Sequence, residues 1–273
     1  MKMAKRAQKH LKVSCQFKES QLQFANGFSL VELMIGMALG VFIIGGLISV
    51  FVSSSQNYRM QQGLAEVGEK GRYAIKVLRD DIQNAGFDLA TDVIAFKEIA
   101  SGIGTCITTP NKRIFEVYWG EEIEVPGELP TLNEFRHCYF IDNDANLVRI
   151  KVDGPPGTAP TAAPVIIIPR VHSLNLSYGV DVDVNEGIDT VNNKTYLAED
   201  DLIDGTPTTP LNTPTWLRVE AIKVELIVAS DTKNVTQSRQ IFKQPFVAVE
   251  EQMPDTRLYQ AFSAVLTLRN RFK

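Results

Sequence analysis

One carboxylate, Glu32, stands at the border of a stretch of 20 residues, Leu33 to Val52, that carries no charge. That is the length a helix needs to cross a hydrocarbon core of about 30 Å. A carboxylate beside such a stretch is costly unless a cation meets it, so an acid in this position is read first as functional. The bland alternative is a side chain that reaches back to the headgroups of a plain signal anchor. The immediate context is Gly27-Phe28-Ser29-Leu30-Val31-Glu32-Leu33. A second set of residues could do metal chemistry. In Asp181-Val182-Asp183-Val184-Asn185-Glu186-Gly187-Ile188-Asp189, oxygen donors alternate as in a calcium loop. The pattern departs from an EF-hand, since its glycine is seventh rather than sixth and Asn192 replaces the final Glu. The leading reading is a solvated acidic turn at a strand end, with Asp181, Asp183, Asn185 and Asp189 as the weaker calcium alternative. Asp142-Asn143-Asp144 reads as a turn. The three histidines, His10, His137 and His172, have no Ser or Cys nucleophile motif beside them. No catalytic residue, no resident cofactor and no enzymatic activity are expected.

The whole chain of 273 residues is 44% hydrophobic and 22% charged, values of an ordinary folded protein. Its net charge of −4 argues against a nucleic-acid partner. That total hides an asymmetry. Residues 1–27 hold six Lys/Arg against the single acid Glu19, a charge of +5, which leaves −9 on the rest. Basic residues before an apolar span stay in the cytoplasm, so everything after the span is expected on the far side of the membrane. A cleaved secretory signal is the competing reading. It fits poorly, because the apolar run exceeds the usual ~7–15 residues and Val52-Ser53-Ser54-Ser55 is a weak cleavage site.

Elements that would position these residues follow from periodicity. All thirteen prolines lie at Pro110 or later, leaving the first third free to be helical. Leu64, Val67, Gly71, Ala74, Ile75, Leu78 and Ile82 recur at steps of three or four, one face of a helix that Gly86 would stop. Gly36 and Gly40 are spaced for close helix approach in a membrane. A helix from Phe28 to about Ala85 would be roughly 85 Å long. Beyond residue 88 the period becomes two. Strands are expected at Arg113–Trp119, Arg136–Ile141, Asn146–Val152, Val165–Ile168, Val171–Val184, Trp216–Ser230, Phe242–Val249 and Tyr259–Leu268, completing one sheet. In the last of these, Phe262, Ala264, Leu266 and Leu268 share a face. The order is α+β: a long N-terminal helix, membrane-spanning in its first half, packed on an antiparallel β-sheet head. Cys15 precedes the span. Cys106 and Cys138 follow it, where oxidation is allowed, and a disulfide between them is favoured over two buried thiols. Closing that loop would contribute roughly 3.5–4 kcal/mol in the chain-entropy picture.

The run Gly27-Phe28 … Glu32 before an apolar stretch resembles the cleavage and assembly signature of type IV pilins and pseudopilins. The resemblance implies that a prepilin peptidase cuts between Gly27 and Phe28 and that the new amine is N-methylated. It also implies that Glu32 meets the Phe28 amine of a neighbouring subunit in a filament. The chain then divides into a basic leader, 1–27, that is removed; a helix, 28–86, with its membrane part at 30–52; and a periplasmic or extracellular head, 87–273. The leader is longer than that of many relatives. Further along, Arg72-Tyr73-Ala74 … Asp80-Asp81-Ile82-Gln83-Asn84-Ala85-Gly86-Phe87, the strand Trp216–Ser230 and the ending Leu268-Arg269-Asn270-Arg271 resemble the PilW group of minor pilins. That group implies a low-abundance subunit that helps start pilus assembly near the fibre tip. Its implied partners are the inner membrane, other minor pilins, the major pilin and a tip adhesin. A minor pseudopilin of type II secretion, which shares leader, helix and head, is the alternative; a signal-anchored periplasmic enzyme or binding protein stands behind both.

Overall fold

The computed structural model describes residues 27, 29–89, 94–99, 106, 113–123, 131–154, 158–160, 162–183, 187–204, 210, 213–243 and 250–269. The leader up to residue 26, Phe28, Asn185, Asn270 and Arg271 lie outside them. The chain divides into two compact units, 1–52 and 53–273. The helix α1, Leu30–Asn84, contributes to both.

In the first unit, α1 is apolar around its whole circumference. Its large side chains from Leu30 to Val52 are 48–81% exposed. In the second unit the same helix carries a buried stripe made of Gly63, Val67, Gly68, Gly71, Ala74, Leu78 and Ile82. The stripe differs from the sequence expectation at one end: Leu64 is exposed, and Gly63 and Gly68 are buried instead. At two glycines of the stripe the head comes very close. A Cβ on Gly71 would lie 2.2 Å from the Phe262 ring, and one on Gly63 would lie 3.2 Å from Val235. Past the end of α1, Gly86 adopts φ 78, a left-handed conformation that suits glycine at a helix C-terminus. Its N–H then donates to Tyr118 O at 2.8 Å, tying the helix exit to the sheet.

The head holds two main sheets rather than one. Strands β1 (Phe96–Ile99), β2 (Ile114–Ile123), β3 (Thr131–Ile141), β4 (Leu147–Asp153) and β5 (Val165–Ile168) form an antiparallel sheet in that order. Strands β6 (Val171–Val180), β7 (Val219–Ala229) and β10 (Tyr259–Thr267) form a second, in the order β10-β7-β6. Short strands β8 (Ile241–Phe242) and β9 (Glu251–Gln252) pair by themselves. The division falls at Pro169-Arg170. Pro169 lacks an N–H for ladder pairing, and Arg170 takes φ 63, so the chain turns sharply between β5 and β6. Alternation of side chains reveals strands but not which distant strand each one joins, which is why the two sheets read as one in the sequence.

Other boundaries shift for local reasons. Trp216–Arg218 is a 3-10 turn that leads into β7. β1 was missed because four residues, with Lys97 and Glu98 among them, give too short a pattern. β8 covers only the start of the expected strand Phe242–Val249, whose residues 244–249 lie outside the described set. On β10 the expected face is observed: Leu266 and Leu268 are buried and Phe262 and Ala264 pack against the core, while Ser263, Val265 and Thr267 are exposed.

The core runs from the α1 stripe into both sheets. Leu78 and Ile82 are fully buried there, together with Val224, Leu226 and Val228 of β7. Each such side chain stabilises the fold by roughly 1.5–3 kcal/mol through burial. Aromatic rings knit the sheets: Phe115 stacks on Tyr139 at 4.7 Å, Phe96 on Phe115 at 5.6 Å, and Tyr178 meets Trp216 edge-on at 4.8 Å. The long helix on antiparallel sheets is the α+β arrangement expected from the order of elements.

Candidate functional site

The N-terminal segment begins with Gly27, which is exposed; Phe28 lies outside the described residues. Leu33 N–H donates to Ser29 O at 3.1 Å and starts the helix. Glu32 sits in the first turn, where the unpaired N–H groups of the helix end favour an anion by about 0.3–1 kcal/mol at exposed sites. Its side chain is exposed, and no described residue of the chain meets it. The helix that follows has a mean hydropathy of 2.5 over its most apolar 18-residue window, and none of that window is buried. Chemically, the segment is a carboxylate at the entrance to a greasy cylinder, free to accept a cation from outside.

In the head, polar clusters hold elements together. Asp81, near the end of α1, faces β3 and β4. It accepts hydrogen bonds from His137 Nδ1, from Tyr139 Oη and, at 3.4 Å, from Arg149. Burial alone would raise the Asp81 pKa, but these hydrogen bonds and the neighbouring cations outweigh it and hold the carboxyl below its ordinary value. Burial and the nearby Asp81 charge push the Tyr139 hydroxyl up, so it stays a donor. A sequence signal for this cluster did exist. His137 and Tyr139 are two apart on one strand and therefore share a face.

Glu98 on β1 is 4% exposed and accepts from Tyr178 Oη, with Arg113 at 3.4 Å. Burial raises its pKa despite both partners. Cys106 and Cys138 are joined in a disulfide whose Cα atoms are 6.3 Å apart. Glu116 Oε1 lies 3.0 Å from Cys106 Sγ, and Tyr118 Oη donates to the same carboxylate. Arg136, fully buried, donates to Thr158 O. His172 faces Glu251 at 3.4 Å and meets the Tyr259 ring edge-on. Both described histidines thus serve contacts between strands or between helix and strand.

The acidic turn brings Asp181, Asp183 and Asp189 together, with carboxylate oxygens within 4.8 Å of one another. Asn185, the fourth candidate, lies outside the described residues. The carboxylates already serve the loop. Asp189 Oδ2 accepts from the N–H of Val182 at 2.7 Å and of Asp183 at 3.3 Å, and Asp181 accepts from Asp183 N–H at 3.2 Å. Nothing in this arrangement points to calcium. Asp142 plays a similar part in the β3–β4 turn, accepting from the N–H of Asp144 and Asn146 at 2.9 and 2.8 Å.

Comparison with known proteins adds three findings. No curated protein sequence matches the chain. Among solved structures, it is similar to a type IV-like pilin from Thermus thermophilus, with a TM-score of 0.41 and 13% identity. That alignment covers 74% of this chain and 97% of the other. Residues 138–270, from the last four residues of β3 to just past β10, match the family model described as Type IV Pilus-assembly protein W, so the PilW resemblance read from the sequence is shown over that part of the head.

Proposed function

We propose that this chain is a minor pilin that helps initiate type IV pilus assembly. A prepilin peptidase removes residues 1–27, the Phe28 amine is methylated, and the apolar part of α1 holds the protein in the inner membrane with its head in the periplasm. On assembly the protein moves into the filament, near its tip, beside other minor pilins, the major pilin and a tip adhesin. Its role there is structural; no step of it needs a catalytic side chain.

The observation that carries the proposal is the position of Glu32. Its carboxylate is exposed in the first turn of a helix whose next 20 residues are apolar and uncovered within the chain. A carboxylate entering an apolar bundle needs a cation, and an N-terminal amine freed just before the helix supplies one at the right end. The family match over residues 138–270 supports the pilus context independently, because it lies wholly in the head.

The test is the mature N-terminus, read by mass spectrometry on protein isolated from cells, together with Glu32→Ala. The expected chain begins with N-methylated Phe28. The variant should insert and be cut like its parent yet enter filaments at least tenfold less often. A protein that still starts at Met1, or one cut near Ser55, overturns the proposal; normal incorporation of the variant removes the role given to its carboxylate. Gene deletion that abolishes protein secretion but spares pili would move the subunit to a type II pseudopilus.

A further inference from the structure

β5 is the outermost strand of the five-stranded sheet, and among the described residues no strand pairs with its far side. Natural sheet edges are commonly blunted by charges, since unpaired N–H and C=O groups recruit other strands. The opposite edge of the same sheet follows that rule: β1 carries Lys97, ion-paired with Asp204, and Glu98. β5 does not. It reads Val-Ile-Ile-Ile with no polar side chain, and Val165 and Ile166 are 53% and 57% exposed. Pro164 and Pro169 bracket it, so the pairing surface is four residues long.

A groove of about 730 Å³ runs between the last residues of β5, Ile167 and Ile168, and the flank of α1, which contributes Tyr73. This volume falls within the ~300–1,000 Å³ of sites that hold a ligand. Its charges are informative. Lys70 is engaged with Glu66 at 2.6 Å and with Asp231 at 2.8 Å. Arg72 and Lys76 also line the groove and have no ion-pair partner among the described residues. Placed four apart on one helix, they repel each other by a few tenths of a kcal/mol. Glu69 lines the groove beside them, and Asp80 stands four residues after Lys76. The groove therefore has an apolar wall from the end of β5 on one side and, on the other, two cations, Arg72 and Lys76, with no carboxylate in ion-pair contact among the described residues.

The geometry points to β5 and the adjoining flank of α1 as a docking surface for one occupant: a short extended segment of another pilus subunit, carrying apolar and acidic side chains in alternation. The segment adds a sixth strand beside β5 through backbone hydrogen bonds. One face of it covers Ile166, and the other turns carboxylates toward Arg72 and Lys76. Such strand addition takes affinity from the main chain and selectivity from alternate side chains. The inference deepens the pilus reading by naming where a partner docks, and it rests on that reading for the partner's identity.

The probe is a fluorescein-labelled peptide, Val-Glu-Val-Glu-Val-Thr, titrated onto the full chain in detergent micelles and followed by anisotropy. Its counterpart with lysine in place of glutamate is run beside it. The acidic peptide should bind saturably, and the lysine peptide at least tenfold more weakly. Ile166→Asp should weaken the acidic peptide at least tenfold without changing the melting temperature, because Ile166 is already exposed. Arg72→Glu with Lys76→Glu, on the α1 side of the groove, should do the same and invert the preference between peptides. Val265→Asp, equally exposed but on β10, should leave binding unchanged. Absence of saturable binding up to millimolar peptide, equal binding of both peptides, or equal loss in Val265→Asp overturns the inference. So does peptide binding abolished only by self-association of the chain, which would make a second copy the occupant. Correct processing at Phe28 with no peptide binding sinks this inference alone; a chain that begins at Met1 but binds the peptide sinks only the pilus role.

Discussion

The two halves of α1 differ in what the chain itself covers. Before residue 53, the largest side chains are the most open: Phe42 and Phe51 are 81% and 74% exposed. After it, small residues are enclosed, with Gly63, Gly68, Gly71 and Ala74 inside the stripe beside Val67, Leu78 and Ile82. The glycines divide in the same way. Nothing lies within 4 Å of where a Cβ would stand on Gly36, Gly40, Gly45 or Gly46, whereas Gly71 has an aromatic ring there. One half therefore has its cover still to find, in lipid or in other helices. The other has found it in its own head, at a distance that admits hydrogen atoms and little else. Side-chain type sets how much surface a residue can bury; the neighbouring element decides whether it does.

The largest effect that sharpens this contrast is a truncation made once in each half. Leu78→Ala removes a fully buried side chain and should destabilise the head by about 2–5 kcal/mol. Leu39→Ala, at 57% exposure, should leave the thermal unfolding of the head unchanged. If both variants melt like the parent, the stripe is not part of the head's core.

A smaller loss, on the order of 1–2 kcal/mol at neutral pH, is expected from Asp81→Asn, which weakens charge-assisted hydrogen bonds to His137, Tyr139 and Arg149. Its pH dependence is diagnostic. The Asp81 pKa is lower in the folded protein than in the unfolded chain, so its contribution is present above the ordinary value of 3.8 and disappears as the pH falls through the folded value. In Asp81→Asn the acid limb of a stability–pH curve should be shallower by up to one proton, while Asp201, Asp231 and Asp255, also lowered, keep the remainder. An unchanged acid limb would show that the carboxylate does not tie α1 to the sheet.

Periodicity made the α+β plan legible, because helices and strands write their burial into consecutive residues. Val165–Ile168 and the buried face of β10 could be read residue by residue. The split into two sheets could not, since it depends on which strands meet: β6 finds β7 across some forty residues, and only a proline and one left-handed arginine mark the turn. The glycines of α1 were ambiguous for the same reason. Gly71 fits the stripe pattern, yet Gly63 belongs to it only because Val235 and Leu258 come close. Asp81 stood among residues that suggested a family, but its three partners lie more than fifty residues away. At the N-terminus the reverse holds. Glu32 is legible because its oddity is local, an acid against an apolar run, and no tertiary contact of the chain is needed to see it.

The finest probe of the contrast is one methyl group, placed on Gly71 and on Gly36. In an unhindered helix, Gly→Ala gains up to about 1 kcal/mol from reduced backbone freedom. At Gly71 that gain competes with a Cβ 2.2 Å from the Phe262 ring, and overpacking of a closed core costs about 1–3 kcal/mol. The ring is rigid and belongs to a paired strand, so the cost should win, and Gly71→Ala should melt a few degrees below the parent. Adding Phe262→Leu should return part of the loss, which a simple change in helix propensity would not allow. At Gly36 no atom opposes the methyl, so the head should unfold as before. If Gly36 lies against another helix in the filament, the penalty missing from the isolated chain must reappear as poorer assembly. A Gly71→Ala protein that melts at or above the parent temperature would mean that Phe262 yields freely, and that the two halves of α1 differ in exposure but not in closeness of packing.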